Sequence, residues 1–366
     1  MASLSLCMIV KNEEKVLARC LDSVEGLADE IIIVDTGSTD KTKEIASKYT
    51  EKIFDFIWEK DFSKARNFSF SKATGDFVMW LDADDVILEK DRNLLIDVKN
   101  SVPEGVNTVM VKYNTAFDED GNPTFSYYRE RIVRNVAANP WHGWVHEVMV
   151  CPGERMYIDA AVTHKSIKTS YSDRNLKIYE AHYEAGKSFS PRDMFYYGRE
   201  LYYNGRFKEA IAILSRFLDE GKGWIENNIE ACKILSYSYE AVENNTAAFS
   251  ALTRSFLYDL PRAEILCDIG RTLMKKEKYR EATFWYELAL KQKKDEKSGG
   301  FINSDCYGYI PSIQLCICWD RLGDIEKAKY YNDLAGKYRP KSTAYLNNVE
   351  YFKRLAGGNM TQPSFT

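Results

Sequence analysis

The 366-residue sequence lacks an excess of charge of either sign and is poor in proline and glycine. It contains 50 Lys and Arg against 54 Asp and Glu, which gives a formal net charge of −4. The strongly basic footprint that non-specific binding to nucleic acid requires is therefore missing. Only 9 prolines and 20 glycines accompany 45% hydrophobic residues, and this composition excludes collagen-like and disordered chains. We expect a folded protein of two or three domains that does not bind nucleic acid.

Long apolar runs and metal-type cysteine pairs are missing as well. No window of the sequence approaches the roughly 18 apolar residues of a membrane-spanning helix, and the apolar stretch at residues 1–10 has no basic leader. We therefore expect a soluble, cytoplasmic protein. The eight cysteines form no C-x-x-C pair and have no neighbouring histidines at zinc spacing, so they predict reduced thiols in the core.

The first half of the chain alternates short β-branched runs with helical patterns, which predicts an α/β domain with a largely parallel sheet. Four early strands are predicted, at Leu4–Val10, Ile31–Val34, Ile53–Ile57 and Phe77–Leu81. Helical patterns between them cover Glu13–Val24, Lys41–Tyr49 and Phe62–Lys72. After about residue 100, two longer strands are predicted at Thr108–Phe117 and Pro123–Val133, with a further strand ending at His164.

Polar residues follow several of these predicted strands. Because ligands bind beyond the carboxyl ends of strands in open α/β sheets, these segments should meet at one crevice. The segment 82–85 reads Asp-Ala-Asp-Asp directly after an apolar strand, and two carboxylates in this spacing suit Mg²⁺ or Mn²⁺. A solvated loop that caps the next helix is the alternative interpretation of this segment.

Three other features favour a site over a solvated loop. Asp35 ends the second predicted strand beside a glycine turn, a position suited to hydrogen-bonding a base or a ribose. Arg66 and Asn67 fall on the first turns of a predicted helix, where their donors can face a phosphate or the acidic cluster. His146 and Glu147 follow two tryptophans, Trp141 and Trp144, for which sugar stacking and core packing both remain open.

From about Tyr171 onward the sequence becomes helical and repetitive. Helix-turn-helix units align on one small residue, at Ala210, Ala248, Ala282 and Ala328, with spacings of 38, 34 and 46 residues. The middle spacing is the tetratricopeptide period, and the larger ones are explained by loop insertions. We predict three or four tetratricopeptide-like hairpins whose aromatic residues mostly pack between helices.

These motifs resemble those of family 2 glycosyltransferases with the GT-A fold. The resemblance rests on segments 5–13 (SLCMIVKNE), 33–40 (IVDTGSTD) and 80–85 (WLDADD). Segments 58–67 and 144–147, followed by the helical repeats, are also similar to a subgroup that includes the peptide S-glycosyltransferases of glycosylated bacteriocins. The resemblance implies an α/β GT-A (Rossmann-like) nucleotide-sugar domain at 1–170. It is followed by a connecting helix at 171–190, all-α tetratricopeptide-like repeats at 191–355 and a flexible tail at 356–366.

The resemblance also implies roles for individual residues. A nucleotide diphosphate sugar, expected as the UDP form, would bind residues at the strand ends and on the third predicted helix, namely Ile9, Val10, Lys11, Asn12, Glu13, Asp35, Arg66, Asp82 and Ala83. Asp84 would coordinate Mn²⁺ or Mg²⁺, with His146 or His164 as a further ligand. A cation on the diphosphate neutralises charge that develops on the leaving group.

Inversion at the sugar requires a general base near the acceptor. Glu147 is our candidate because it lies downstream of the metal motif and beside the tryptophans; Asp61 and Asp85 are alternatives. Arg129, Arg131 and Arg134 alternate along a predicted strand, which favours solvated strand charge, although Arg134 is also a candidate for contact with the acceptor.

We therefore expect a metal-dependent inverting glycosyltransferase that moves a hexose or N-acetylhexosamine to a Ser, Thr or Cys side chain of a protein or peptide. The alternatives are a transferase acting on a cell-surface glycan and a non-catalytic scaffold built on the helical repeats. Tetratricopeptide surfaces also mediate self-association, so the repeats are consistent with a homodimer.

Overall fold

The computed structural model describes residues 2–136, 140–167 and 172–356. The chain divides into two compact units, one made of Met1–Thr115 and Tyr127–Lys222, the other of Ala116–Ser126 and Gly223–Thr366. The domain bounds predicted from the sequence stay predictions. The bound at 170/171 and nearly all of the predicted tail, residues 357–366, lie outside the described residues.

A sheet of eight strands forms the centre of the first unit. The ten described strands are β1 (Leu4–Val10), β2 (Glu30–Asp35), β3 (Ile53–Asp55), β4 (Phe77–Trp80), β5 (Asp85–Ile87), β6 (Val106–Phe117), β7 (Pro123–Arg134), β8 (Trp141–His142), β9 (Val148–Met149) and β10 (Glu154–His164). The large sheet has the order β3-β2-β1-β4-β7-β6-β10-β5, and β8 pairs with β9 separately. The strands β3, β2, β1 and β4 run parallel, whereas β7 pairs antiparallel with β4 and β5 pairs antiparallel with β10.

Four helices of the first unit pack beside these strands. They are α1 (Leu17–Asp22), α2 (Thr42–Ala46), α3 (Phe62–Phe70) and α4 (Glu89–Ser101). The strand β1 is apolar on both faces because both are covered. Leu6 and Met8 join the cluster that includes Leu17 of α1, while Cys7 joins a second cluster with Trp141, against which Phe68 of α3 packs.

The predicted elements are present, but β3 ends at Asp55 rather than at Ile57, and the short strands β5 and β8 and the lengths of α1 and α2 differ from the prediction. The helices α1 and α2 are shorter than their patterns, because the residues before each one turn to form hydrogen bonds between the loops that follow β1 and β2. The strand β5 was not predicted, since three residues directly after an acidic segment carry too little pattern to be recognised.

The rest of the described chain is helical. Its helices are α5 (Arg174–Glu184), α6 (Pro191–Tyr203), α7 (Phe207–Glu220), α8 (Ile225–Ala241), α9 (Asn245–Arg254), α10 (Ala263–Met274), α11 (Tyr279–Ala289), α12 (Tyr309–Arg321), α13 (Ile325–Tyr338) and α14 (Thr343–Ala356). Consecutive helices pack as hairpins, α6 with α7 in the first unit and α8 with α9, α10 with α11 and α12 with α13 in the second.

The small residues on which the repeats align lie inside these hairpins. Ala210, Ala248, Ala282 and Ala328 fall in the second helix of each hairpin, and each is at most 1% exposed. Gly270 lies on the first helix of a hairpin, α10, and also allows close packing. A Cβ atom there would lie 2.6 Å from the ring of Tyr286 in α11. Close packing of two helices therefore explains the small residues.

All eight cysteines are buried as free thiols, as predicted. Within the described residues, no helix combines the length and the apolar composition that crossing a lipid bilayer demands.

Candidate active site

A cavity of about 520 Å³ opens where the strands β1, β2 and β4 end. Side chains from the strand ends, the segment before α3, the loop before β9 and the helix α5 form its wall. They are Ile9, Val10, Lys11, Glu13, Thr36, Trp58, Phe62, Arg66, Trp80, Asp82, Ala83, Asp84, Tyr113, Arg129, Val145, His146, Glu147, His164, Arg174 and Asn175. The cavity therefore contains most of the residues predicted for the site, with the exceptions of Asn12, Asp35 and Asp61.

Asn12 and Asp35 do not line the cavity and instead form hydrogen bonds in the loops that follow β1 and β2. Asn12, in a left-handed conformation with φ of 55°, donates its backbone N–H to Ser38 Oγ at 2.9 Å and accepts from Thr39 N at 2.8 Å. Asp35 is 1% exposed, and its Oδ1 accepts from the backbone N–H groups of Gly37 and Ser38. Within the described residues, the buried Oδ2 of Asp35 has no hydrogen-bond partner, which is unusual for a carboxylate.

The acidic segment after β4 brings Asp84 and Asp85 to His164. Ligand atoms of these three residues lie within 4.8 Å of one another. The strand β10 delivers His164 by pairing it directly with Asp85 of β5. Asp85 is fully buried and is bound by Arg131 at 3.2 Å and by the Tyr113 hydroxyl at 2.9 Å. The hydrogen bond to Asp85 and the charge of Asp84 together raise the pKa of His164 above its usual value.

Arg66 joins the acidic segment to Glu147. It donates to Asp82 at 2.8 Å and to Glu147, and its guanidinium lies 4.7 Å from the ring centre of Trp80 and 4.9 Å from that of Trp141. Burial alone would raise the pKa of Asp82, but the nearby Arg66 lowers it to about 2. Of the two alternatives stated from the sequence, phosphate or acidic cluster, the structure brings Arg66 to the acidic cluster.

His146 faces away from Asp84, although it borders the same cavity. Its Nε2 lies 2.7 Å from Oε1 of Glu200 in α6, and its ring stacks on Tyr196 with centroids 4.2 Å apart. Burial lowers the pKa of His146, although the hydrogen bond to Glu200 opposes that effect. Of the two histidines considered as ligands, His164 is the one grouped with Asp84 among the described residues.

The two alternative bases have structural partners. Asp61 is the N-cap of α3, where its Oδ1 accepts from Lys64 N at 3.1 Å and from Ser63 Oγ at 2.7 Å. Asp85, bound to Arg131 and Tyr113, is fully buried. Glu147 alone of the three candidates lines the cavity.

The arginines of β7 do not form solvated strand charge. Arg131 is fully buried between the rings of Trp80 and Tyr113, at 3.9 Å and 4.4 Å from their centres. Arg129 lines the cavity and stacks on Trp80, and Arg134 donates to the carbonyls of residues 103, 104 and 106. The predicted solvent exposure was wrong for Arg131, which is fully buried, whereas Arg129 and Arg134 are half-buried and have partners of their own.

The tryptophans of the loop before β9 also have packing partners. Trp141 is 2% exposed and packs edge-to-face on Trp80, so it belongs to the core. Trp144 stacks on His182 of α5 at 4.0 Å and does not line the cavity.

Sequence reasoning missed several residues of the site. Trp58, Phe62, Arg174 and Asn175 line the cavity, and Glu200 lies behind His146. The sequence offered no signal for Glu200, because its partner His146 is 54 positions away.

Comparisons with known proteins found one family model and several similar proteins. Residues 5–158 match the family model described as Glycosyl transferase family 2. The chain is similar to a TPR repeat-containing protein of Synechococcus elongatus, with 48% identity over 88 residues that cover 24% of this chain and 22% of that protein. It is also similar to the SPbeta prophage-derived glycosyltransferase SunS of Bacillus subtilis, with 26% identity over 234 residues that cover 59% of this chain and 53% of that protein.

The chain thus spans about a fifth and about half of the length of these two curated relatives. Among solved structures, the crystal structure of MamA is similar with a TM-score of 0.37 and 16% identity, over 46% of this chain and 89% of that chain.

Proposed function

We propose that this chain, whose residues 5–158 form a family 2 glycosyltransferase domain followed by tetratricopeptide-like repeats, is a metal-dependent inverting glycosyltransferase. It transfers a hexose or N-acetylhexosamine from a UDP-sugar to a Ser, Thr or Cys side chain of a protein or peptide. One observation carries the proposal: Asp84 and His164 line the same cavity as Glu147, which is held by Arg66.

Asp84 and His164 are the residues that would hold Mn²⁺ or Mg²⁺. The donor set fits because oxygen and imidazole ligands come together at the edge of a cavity, and the imidazole is oriented by Tyr113 and Asp85, which lie 2.9 and 3.4 Å from its Nδ1. Such a cation, when bound, supplies positive charge to a leaving diphosphate. Asp85 itself is already neutralised by Arg131, so it serves the site by orienting His164.

The donor nucleotide would occupy the part of the cavity formed by the loops after β1 and β2. Asp35 does not line the cavity and its Oδ2 is buried, so its carboxylate would support this part of the site by holding the turn at Gly37 and Ser38. Lys11 lines the cavity next to these loops and offers a positive charge. Asp82, with 41% of its side chain exposed, is suited to bind hydroxyl groups of ribose or of the sugar.

Glu147 would act as the general base. In the reaction, the acceptor oxygen or sulfur forms a bond to the anomeric carbon while the bond to the diphosphate breaks, and Glu147 takes the proton of the acceptor. Arg66 holds the carboxylate of Glu147 in a fixed orientation through their ion pair.

A protein or peptide acceptor is favoured by the resemblance to the peptide S-glycosyltransferase subgroup and by the helical repeats. Trp58 and Phe62, in edge-to-face contact at 4.8 Å, border the cavity and are suited to contact an acceptor. Self-association through the repeats stays a prediction.

The proposal is tested with purified protein and a panel of UDP- and GDP-sugars, with Mn²⁺, with Mg²⁺ or with EDTA. We expect hydrolysis or tight binding of one donor, lost with EDTA. Absence of binding and of hydrolysis for every donor, with a folded protein, would refute it. A donor that is turned over then serves as the reagent for an acceptor search among peptides.

A further inference from the structure

One face of the helix α6 holds the segment that carries Glu147. Arg192, Tyr196 and Glu200 are spaced four residues apart, so they form a single stripe on that helix. All three contact His146, the residue before Glu147. A stripe of three residues directed at one partner is not needed to pack a helical hairpin.

Each member of the stripe contacts a different part of His146. Arg192 donates from Nε and Nη2 to the backbone carbonyl of His146, at 3.0 and 2.9 Å. The ring of Tyr196 stacks on the imidazole with an interplanar angle of 18°, and Oε1 of Glu200 lies 2.7 Å from Nε2. The main chain, the ring face and the ring edge of His146 are therefore all held by α6.

The conformation of His146 explains why it needs this support. Its φ of 52° lies in the left-handed region, where a residue with a Cβ atom is strained and persists only if its surroundings hold it. This backbone turn sets the direction in which the next residue, Glu147, leaves the chain. Glu147 is then bound from the other side by Arg66.

The helix α6 is itself firmly anchored. It begins with a capping box between Ser190 and Asp193 and has Pro191 in its first turn. Glu200 is fully buried, and Asn175 of α5 donates to the same oxygen at 3.3 Å. The stripe is thus presented by a rigid element rather than by a loop.

We propose that Arg192 and Glu200 are positioning residues for Glu147, so that the first helical hairpin is a working part of the catalytic unit. This inference rests on the proposed function. Neither residue touches the reacting atoms. Each acts by fixing His146, and loss of either lets the carboxylate of Glu147 move away from the acceptor, where displacements of about 1 Å cost up to about 10²-fold in rate.

The test compares Arg192→Met, which removes both donors, with Glu200→Leu, which removes the acceptor at similar volume. For both variants we expect kcat of donor hydrolysis or of transfer to fall about tenfold or more, while the Kd for UDP with Mn²⁺ stays within about twofold. Glu200→Gln keeps an oxygen acceptor and should retain kcat within about threefold of the unchanged protein.

Glu226→Leu is the matched control. Glu226 is also a buried glutamate on the first helix of a hairpin, α8, where it pairs with Arg262. Its replacement should leave kcat unchanged. Melting temperatures of all variants are measured alongside, and Arg192→Met keeps the inference testable if Glu200→Leu does not fold.

Wild-type kcat in both Arg192→Met and Glu200→Leu would overturn the inference. So would a loss of UDP binding in proportion to kcat, because that result indicates general damage rather than misplacement of Glu147. If the unchanged protein binds no UDP-sugar, the proposed function itself is wrong. If it binds and turns over a UDP-sugar but the variants keep its kcat, only the positioning role is wrong.

Discussion

Carboxylates cluster in both units of the chain, but they are neutralised to different degrees. In the second unit, the cluster on α8 and α10 is saturated with partners. Arg262 binds Glu226 through two hydrogen bonds of 2.6 and 2.8 Å, and Tyr237 donates to Asp268 at 2.6 Å.

In the first unit, the carboxylates at the strand ends are only partly neutralised. Asp85 and Asp82 have arginine partners, whereas the nearest cationic group to the Asp84 carboxylate in the described residues is His164 at 3.5 Å. Asp35 keeps one buried oxygen without a partner within that same part of the chain.

The difference teaches that a group of acidic residues is not by itself a cation site. Burying a carboxylate without full neutralisation costs free energy, so Asp84, which lines the cavity with His164 as its nearest cationic group in the described residues, is suited to receive a cation there. A fold that pairs each carboxylate with an arginine or a tyrosine has used the same residues to stabilise itself.

The largest expected difference between the two clusters is in donor turnover, when one aspartate of each cluster is replaced by asparagine. Asp84→Asn removes the charge at the cavity and should lower donor turnover by about 10³-fold, as loss of a group that supports charge in a transition state does. Asp268→Asn should leave turnover unchanged. Steady-state hydrolysis of the active donor with Mn²⁺ measures both, and equal losses in the two variants would contradict the distinction drawn between the clusters.

Removal of one arginine from each cluster should lower the free energy of unfolding by different amounts. Arg66→Met leaves Asp82 and Glu147 without their shared partner and should lower the free energy of unfolding by about 3 kcal/mol, the lower end of the range because Asp82 is partly exposed. Arg262→Met leaves one buried carboxylate, that of Glu226, without its arginine partner. This change should lower the free energy of unfolding by about 1–2 kcal/mol. Urea denaturation checks the order of the two values, and a larger cost for Arg262→Met would reverse our interpretation.

A smaller effect is expected inside the hairpins. A Cβ atom at Gly270 would meet the rigid ring of Tyr286 at 2.6 Å, whereas one at Gly198 would meet the flexible side chain of Leu214, at 2.5 Å from Cδ2 and 2.6 Å from Cγ. Gly270→Ala should therefore destabilise by about 1–3 kcal/mol, and Gly198→Ala should cost less because Leu214 can change rotamer. Thermal unfolding of both variants tests this. Equal melting temperatures would show that the Tyr286 ring moves aside as easily as the Leu214 side chain does.

The smallest expected effect is on how the free energy of unfolding depends on pH in acid. Burial alone would raise the pKa of Glu30, but hydrogen bonds from Lys52, Ser5 and Thr74 lower it to about 2. The contribution of Glu30 to stability is therefore present above its usual pKa of 4.5 and is lost as the pH falls toward about 2. Burial raises the pKa of Asp268 in the second unit, so its contribution has the opposite sign and declines as the pH rises.

Denaturation of the Glu30→Gln variant between pH 2 and 5 measures this contribution. The free energy of unfolding should depend less steeply on pH than in the unchanged protein. An unchanged slope would mean that Glu30 does not contribute to acid sensitivity.

Much of the first unit could be predicted from local pattern. The strand β1 matches its predicted bounds, and Asp82 and Asp84 line the same cavity as residues 9–11 because parallel strands bring their carboxyl ends together. The choice between His146 and His164 could not be made, since it depends on the pairing of β10 with β5, whose residues lie 79 positions apart at His164 and Asp85.

The supporting contacts were harder to predict than the site itself. Solvated charge was expected for Arg131, as for Arg129 and Arg134 on the same strand, and only the packing of Trp80 and Tyr113 on both sides explains its burial. The role of Glu200 depends on a contact between a helix and a distant loop, for which sequence spacing carries no signal.

The eight buried thiols make it possible to follow local unfolding of this protein. A maleimide reagent reacts with a thiol only when the surrounding structure exposes it, so each cysteine reports on its own neighbourhood. Cys20 lies beneath the acidic segment, with its sulfur 3.5 Å from the carbonyl of Asp82, while Cys318 is enclosed in α12. Labelling followed by peptide mass spectrometry would time local opening at the cavity and in the repeats within one sample, without introducing any new cysteine.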